Sequence, residues 1–317
     1  MGSFLSFKNS NCKYSGVWQE NGEKEIVSYG TVASVEIGFE GSVIYIQAHF
    51  DNGVCVYIDN EETKTEEYRD GYVIRTTQGK HILKIQSAPG GRIFLKGFLS
   101  ESDTVIFRTP DKRYIHFIGD SITHAYPGFT SRCANILNAD YSCVATCGMS
   151  LLDGWGWYQI PDWLTVRPGM ESMYFRLEDV NETQNYTDYR FEYCRQPDVI
   201  MIFLGTNDYI NNEADKKSGN FEKFADNYLN FVKRLRQHYP NSKIVIMGSV
   251  SGSEYRSEAT RKAAELIEKN LKNVYFMQTE DWKIDICDDK THPTVQGYEQ
   301  ICLLYTSDAA DERSSVD

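Results

Sequence analysis

Five compact apolar runs constrain this chain more than any other feature: YIHFIGD (114–120), YSCVATC (141–147), DVIMIFLG (198–205), KIVIMGSV (243–250) and NVYFMQT (273–279). Each has the length of a strand, and each is nearly continuous in its apolarity rather than alternating. That pattern belongs to strands buried on both faces of a parallel sheet. Helical patterns fall between them. Phe221, Phe224, Ala225, Tyr228, Val232 and Leu235 recur at helical spacing over 221–235, and 256–271 is a second candidate rich in Ala, Glu, Lys and Arg. Strand–helix alternation from Tyr114 onward implies a parallel α/β sheet wrapped by helices.

Residues 1–107 follow a different rhythm. ASVEIGF, VIYIQAHF, VCVYID, YVIRTT, HILKIQSA and RIFLKGFL are short, β-branched and partly alternating, with turn signals DNG (51–53), QGK (78–80) and PGG (89–91) between them. Short strands at this spacing, without a helical stretch, predict a small β-sandwich. Residues 108–113 form the linker, and the α/β domain runs over 114–304. The segment CLLYTSDAADE (302–312) resembles the translation of a transposase-type sequencing adapter, so 305–317 is expected to be a non-native, disordered tail.

Charge and cysteine usage exclude several classes of function. The formal charge is −12 and Lys and Arg are not clustered, which argues against nucleic acid as a partner. No run approaches a membrane span, so no membrane partner is expected. The start MGSFLSFKNSNCKYSG lacks the basic opening and apolar core of a signal peptide, which predicts a cytoplasmic location, or secretion if an upstream segment is missing. The initial Met-Gly with Ser6 is read as coincidence rather than as a lipidation signal. The eight cysteines contain no Cys-x-x-Cys, so zinc-ribbon and redox-pair readings fail, and Cys143 and Cys147 read as small core residues. Histidines 49, 81, 116 and 238 are scattered without a ligand pattern; neither metal nor cofactor is expected. The sequence is silent on oligomeric state.

Chemistry concentrates where the apolar runs end, the place at which a parallel sheet presents its ligands. A serine becomes nucleophilic when a base takes its proton and donors stabilise the oxyanion. Ser121 follows the first run, although a serine there is just as well a loop residue or helix cap. In FLGTNDY (203–209), Gly205 permits a tight backbone path and Asn207 can aim an amide at an oxyanion; Thr-Asn-Asp is also an ordinary turn. Gly148 follows the second run and can present its backbone N–H, or simply turn the chain. In DDKTHPTVQGY (288–298), Asp289 and His292 are spaced so that the carboxylate can fix the imidazole tautomer, with Asp288 and Asp285 as competing acids. His124, three residues past Ser121, reads as a cleft or capping residue rather than as the base.

Taken together, Gly119-Asp120-Ser121-Ile122, Gly148, Gly205-Thr206-Asn207-Asp208 and Asp289-x-x-His292-Pro293 resemble the four blocks of the SGNH (GDSL-type) hydrolase superfamily. The resemblance covers about 114–301 and implies a flavodoxin-like three-layer α/β/α domain that hydrolyses esters through an acyl-serine. It implies Ser121 as nucleophile, His292 as base and Asp289 as its orienting acid. Ser121, Gly148 and Asn207 would form the oxyanion hole. A jelly-roll-like domain ahead of such a domain, with YSGVW near its start and GKHILKI near its end, is similar to carbohydrate esterase family two. Those enzymes deacetylate xylan and related saccharides, so an acetylated oligo- or polysaccharide is the expected partner. Members often carry Trp directly before the catalytic His, where this chain has Thr291. Trp155, Trp157, Tyr158 and Trp163 offer substitute faces for a sugar ring, or else pin their long loop to the core. A short-chain lipid esterase or acyl-thioesterase, and a non-catalytic carbohydrate-binding protein, are the alternatives.

Overall fold

A computed structural model describes residues 3–22, 24–126, 128–162, 164–177, 188–251 and 254–314, with 306–314 as backbone alone. The chain forms two compact units: residues 1–112 with 190–195, and residues 113–189 with 196–317.

The first unit is all-β. Its strands are β1 (Ser3–Ser6), β2 (Lys13–Glu20), β3 (Ile26–Phe50), β4 (Val54–Ile58), β5 (Glu61–Thr63), β6 (Glu66–Glu67), β7 (Tyr72–Ser87), β8 (Ile93–Ser100) and β9 (Val105–Phe107). β3 pairs antiparallel with β2, β7, β8 and β9. Trp18, Ile26, Phe39, Ile85, Leu95 and Phe98 fill the interior.

Two features depart from the sequence reading. ASVEIGF and VIYIQAHF join into the single strand β3, and YVIRTT and HILKIQSA join into β7, so QGK is strand rather than turn. Gly41 of β3 lies opposite Gly79 of β7, and the register shifts between Gly41 and Val43. Facing glycines let both strands bend through a bulge where a turn signal suggested a hairpin. The return segment 190–195 also belongs to this unit, where Tyr193 packs on Phe7 and Tyr14 at ring separations of 6.0 and 5.9 Å.

The second unit is the α/β domain. Its strands are β10 (Tyr114–Gly119), β11 (Asp140–Ala145), β12 (Val199–Phe203), β13 (Lys243–Met247) and β14 (Val274–Met277). Its helices are α1 (Ser121–His124), α2 (Phe129–Ile136), α3 (Met170–Met173), α4 (Glu213–Lys217), α5 (Asn220–His238), α6 (Glu254–Asn270) and α7 (Val295–Ser314). The five strands are parallel, in the order β14-β13-β12-β10-β11. This is the flavodoxin-like doubly wound order, whose ligand crevice opens where successive strands diverge, at the carboxyl ends of β10 and β12. α5 turns Phe221, Phe224, Ala225, Tyr228, Val232 and Leu235 inward, as their spacing predicts.

One residue of β10 breaks the apolar rule. His116 is fully buried, with Nδ1 2.6 Å from Ser142 Oγ and Nε2 2.8 Å from Tyr174 Oη. Tyr114 Oη reaches the same Ser142 at 2.6 Å, and Tyr174 Oη meets Tyr239 Oη at 3.1 Å. Burial lowers the His116 pKa to about 3, so the ring is a neutral member of a polar network inside the core.

The tail expected from 305 begins within α7. The α7 backbone continues as helix to Ser314, and Ile301, Cys302 and Tyr305 are buried. A nucleated helix propagates at little cost through residues such as Ala, Glu and Arg, whatever their origin. Residues 315–317 lie outside the described residues.

Candidate active site

The first strand delivers Ser121 through a tight turn. A side chain at Gly119 would collide with Thr123, so the chain can pass there only without a Cβ. Asp120 then caps α1 in extended conformation, accepting from the Ile122 N–H at 3.0 Å. Ser121 is the first residue of the helix, where no intrahelical bond takes its N–H.

The loop after β14 brings His292 to this turn. Ser121 Oγ lies 2.8 Å from His292 Nε2, and His292 Nδ1 lies 2.6 Å from Asp289 Oδ2. The other oxygen, Asp289 Oδ1, accepts from the backbone N–H groups of Thr291 and His292, both at 2.9 Å. The His292 backbone N–H, then its ring, then the Thr291 N–H hold the Asp289 carboxyl down to about 2. With Nδ1–H donating to a carboxylate, Nε2 is left as the acceptor for the serine hydroxyl. Asp285 instead accepts from the Thr294 hydroxyl at 2.8 Å, so among the competing acids the imidazole meets Asp289. Such a chain of hydroxyl, imidazole and carboxylate can make an alkoxide-like nucleophile and return the proton to a leaving group.

Two further loops meet the same turn. Gly148 has φ +76°, and a Cβ there would lie 2.8 Å from the Tyr158 nitrogen and 3.1 Å from the Trp157 carbonyl carbon. Only glycine fits that left-handed, crowded position. Its carbonyl accepts from the Trp157 N–H at 2.8 Å, which ties residue 148 to the long following loop. Asn207 lies beside Asp120: its Nδ2 donates to the Met149 carbonyl at 3.0 Å and faces Asp120 Oδ2 at 3.4 Å. The two acids next to Ser121 and Asn207 carry no sign of a role in the sequence. Asp120 and Asp208 are completely buried, and burial raises them to about 6 and about 7. Asp208 accepts from the Leu151 and Leu152 N–H groups at 3.0 and 3.1 Å. The partners of Asp208 are backbone amides of another loop, a contact that the sequence does not display.

His124 stays out of the serine relay; its Nδ1 lies 3.6 Å from Cys147 Sγ, and burial lowers its pKa. Cys143 is buried as expected, but Cys147 is exposed, because the strand ends at Ala145 and leaves residue 147 in the turn.

The aromatic residues divide. Trp157 is 64% exposed and stands edge-on to Tyr209, with ring centroids 5.4 Å apart. Trp155 leans on the same Tyr209 at 5.5 Å and carries Lys223 Nζ over its ring at 5.4 Å. Tyr158 pins the loop: its hydroxyl donates to the Pro168 carbonyl, and its own carbonyl accepts from Arg167 Nε at 2.7 Å. Trp163 lies outside the described residues. Tyr209 was not singled out in the sequence, although it directly follows the Asn207-Asp208 block.

Known proteins resemble this chain in sequence and in fold. The GDSL-like Lipase/Acylhydrolase family matches residues 117–300. A curated relative, the cellulase/esterase CelE of Acetivibrio thermocellus, is 30% identical over 258 residues, which cover 74% of this chain and 28% of that protein. The chain thus spans little more than a quarter of that relative's length. Among solved structures, an acetyl xylan esterase (Est2A) from the rumen bacterium Butyrivibrio proteoclasticus superposes with TM-score 0.73 at 18% identity, covering 100% of both chains. A family two carbohydrate esterase from Clostridium thermocellum in complex with cellohexaose gives TM-score 0.68 at 20% identity, covering 96% of this chain and 99% of that one. A Corynascus thermopiles carbohydrate esterase family 2 enzyme gives 0.67 at 23% identity, covering 94% and 99%. At these identities the structural likeness speaks for the fold: an SGNH-type α/β domain together with a β-sandwich domain.

Proposed function

This chain belongs to the GDSL-like lipase/acylhydrolase family, and from that premise we propose that it is a serine esterase removing O-acetyl groups from carbohydrate. One observation carries the reading: the unbroken hydrogen-bonded path Ser121–His292–Asp289, with spacings of 2.8 and 2.6 Å. In the proposed reaction Ser121 Oγ attacks the acetyl carbonyl while His292 Nε2 takes its proton. The tetrahedral oxyanion is held by the N–H groups of Ser121 and Gly148 and by the Asn207 amide, whose long contact to Asp120 leaves a proton available for a closer acceptor. Collapse breaks the ester C–O bond, His292 protonates the leaving sugar oxygen, and an acetyl-serine remains. Water, deprotonated by His292, then releases acetate. Asp289 holds the ring in the required tautomer throughout and stabilises the imidazolium.

Two further observations favour a saccharide as the alcohol. Trp157 offers an exposed flat face braced by Tyr209. The relatives include carbohydrate esterases, one of them solved with cellohexaose. The test is an acetate-release panel over acetylated xylo- and cello-oligosaccharides, with longer acyl esters beside it and Ser121→Ala as control. Acetate release that depends on Ser121 is expected. A clear preference for long acyl esters, or turnover undiminished in Ser121→Ala, would refute the proposal.

A further inference from the structure

We propose that Asp208 is the positioning residue of the oxyanion hole, acting through the loop that carries Gly148. The inference rests on the reading of Ser121 as nucleophile and of Gly148 as an oxyanion donor. The residues just downstream of Gly148 are tied to the loop that follows β12. The Asn207 amide grips the Met149 carbonyl at 3.0 Å, and the two Asp208 oxygens take the N–H groups of Leu151 and Leu152 at 3.0 and 3.1 Å. Upstream, the Met149 N–H closes on the Thr146 carbonyl at 3.1 Å. Three bonds from one dipeptide therefore fix the backbone directly after the proposed donor.

The location makes this clamp costly to lose. Leu151 and Leu152 are buried, so water cannot replace a missing acceptor for their amides. A carboxylate accepts at both oxygens and meets two successive N–H groups at once; an Asn can accept one and must turn its own NH2 against the other. The charged neighbours of Asp208 include Asp120 and Glu171, which act on it as like charges, while Arg256 feels both Asp208 and Asp120. A turn at Gly148 that shifts by a fraction of an ångström moves its N–H off the line to the oxyanion, and such donors act through their preorganisation. Asp208 itself need touch no reacting atom.

The experiment compares wild type with Asp208→Asn, using p-nitrophenyl acetate as substrate and phenylboronic acid as a probe that forms a tetrahedral adduct on serine. Turnover is expressed per active site, counted from the p-nitrophenol burst. A positioning role predicts that kcat falls about 10- to 100-fold, short of the full effect of deleting a donor. It predicts that KM stays within about twofold, and that the inhibition constant of phenylboronic acid rises in step with the loss of kcat. A purely structural role would lower the number of active sites and leave both constants unchanged; that result overturns the proposal. If Asp208→Asn does not fold, replacing Leu152 by its α-hydroxy acid analogue removes one of the two N–H groups while keeping the side chain. The same linked change in kcat and inhibition constant is then expected, and unchanged constants would again overturn the role. Undiminished turnover in Ser121→Ala would remove the underlying reading, and the positioning role with it; normal constants in Asp208→Asn beside a dead Ser121→Ala would remove the positioning role alone.

Discussion

The buried ring of His116 makes a quantitative prediction about stability. Its pKa is lowered to about 3 by burial, against about 6.5 in an unfolded chain. The unfolded state therefore binds the proton first, and the stability this residue contributes is present above pH ~6.5 and lost as pH falls toward about 3. Integrating the two titrations gives a loss of about 2 kcal/mol between pH 7 and pH 5, and about 3 kcal/mol by pH 4. Asp120 and Asp208 work in the opposite direction, because their folded pKa values, about 6 and about 7, exceed those of free carboxyls, so acidification stabilises the folded state through them. The wild-type curve alone mixes these terms; the difference from His116→Gln isolates the histidine. Gln keeps an amide facing Tyr174 but does not titrate. Urea unfolding at pH 7, 6, 5 and 4 should show the stability advantage of wild type over the variant shrinking by about 2 kcal/mol from pH 7 to 5. A difference that stays constant within about 0.5 kcal/mol, the usual scatter of independent effects, would refute the assignment of His116 as a neutral core residue.

Three further outcomes follow from the site. Gly148→Ala places a Cβ 2.8 Å from the Tyr158 nitrogen at φ +76°, so kcat for p-nitrophenyl acetate should drop about 100-fold; an unchanged kcat would show that this loop does not shape the transition state. Asp289→Asn should lower kcat by on the order of a thousandfold at nearly constant KM. An Asp289→Asn variant with unchanged kcat would contradict the orienting role of Asp289. Trp157→Ala, at a position 64% exposed, should leave the melting temperature unchanged and raise KM for acetylated oligosaccharides more than for p-nitrophenyl acetate; equal effects on both would deny it a sugar contact.

The α/β domain was legible because its signals are local. Strands buried on both faces must be apolar throughout, and Asp289 and His292 sit close enough in one loop for their spacing to announce the contact. The sandwich was harder, since QGK reads as a turn until Gly79 is seen opposite Gly41 across the sheet. A bulge is a property of two strands, and neither one alone shows it. The segment 190–195 is likewise fixed by Phe7 and Tyr14, far away in sequence. Asp208 closes a motif block and Tyr209 follows it, yet neither shows a role in the sequence: the partners of the one are backbone amides of another loop, and the partners of the other are two tryptophans. Cys147 lies in the turn because the strand stops two residues before it, at Ala145.

The central claim is that an acyl group passes through Ser121, and the most direct measurement is to catch it there. Rapid acid quench during turnover of p-nitrophenyl acetate, followed by peptide mapping by mass spectrometry, should find an acetyl group on the peptide containing Ser121. Ser121→Ala should show neither adduct nor turnover. Steady turnover with the acetyl group on another side chain, such as the exposed thiol of Cys147, or full turnover by Ser121→Ala, would contradict the account.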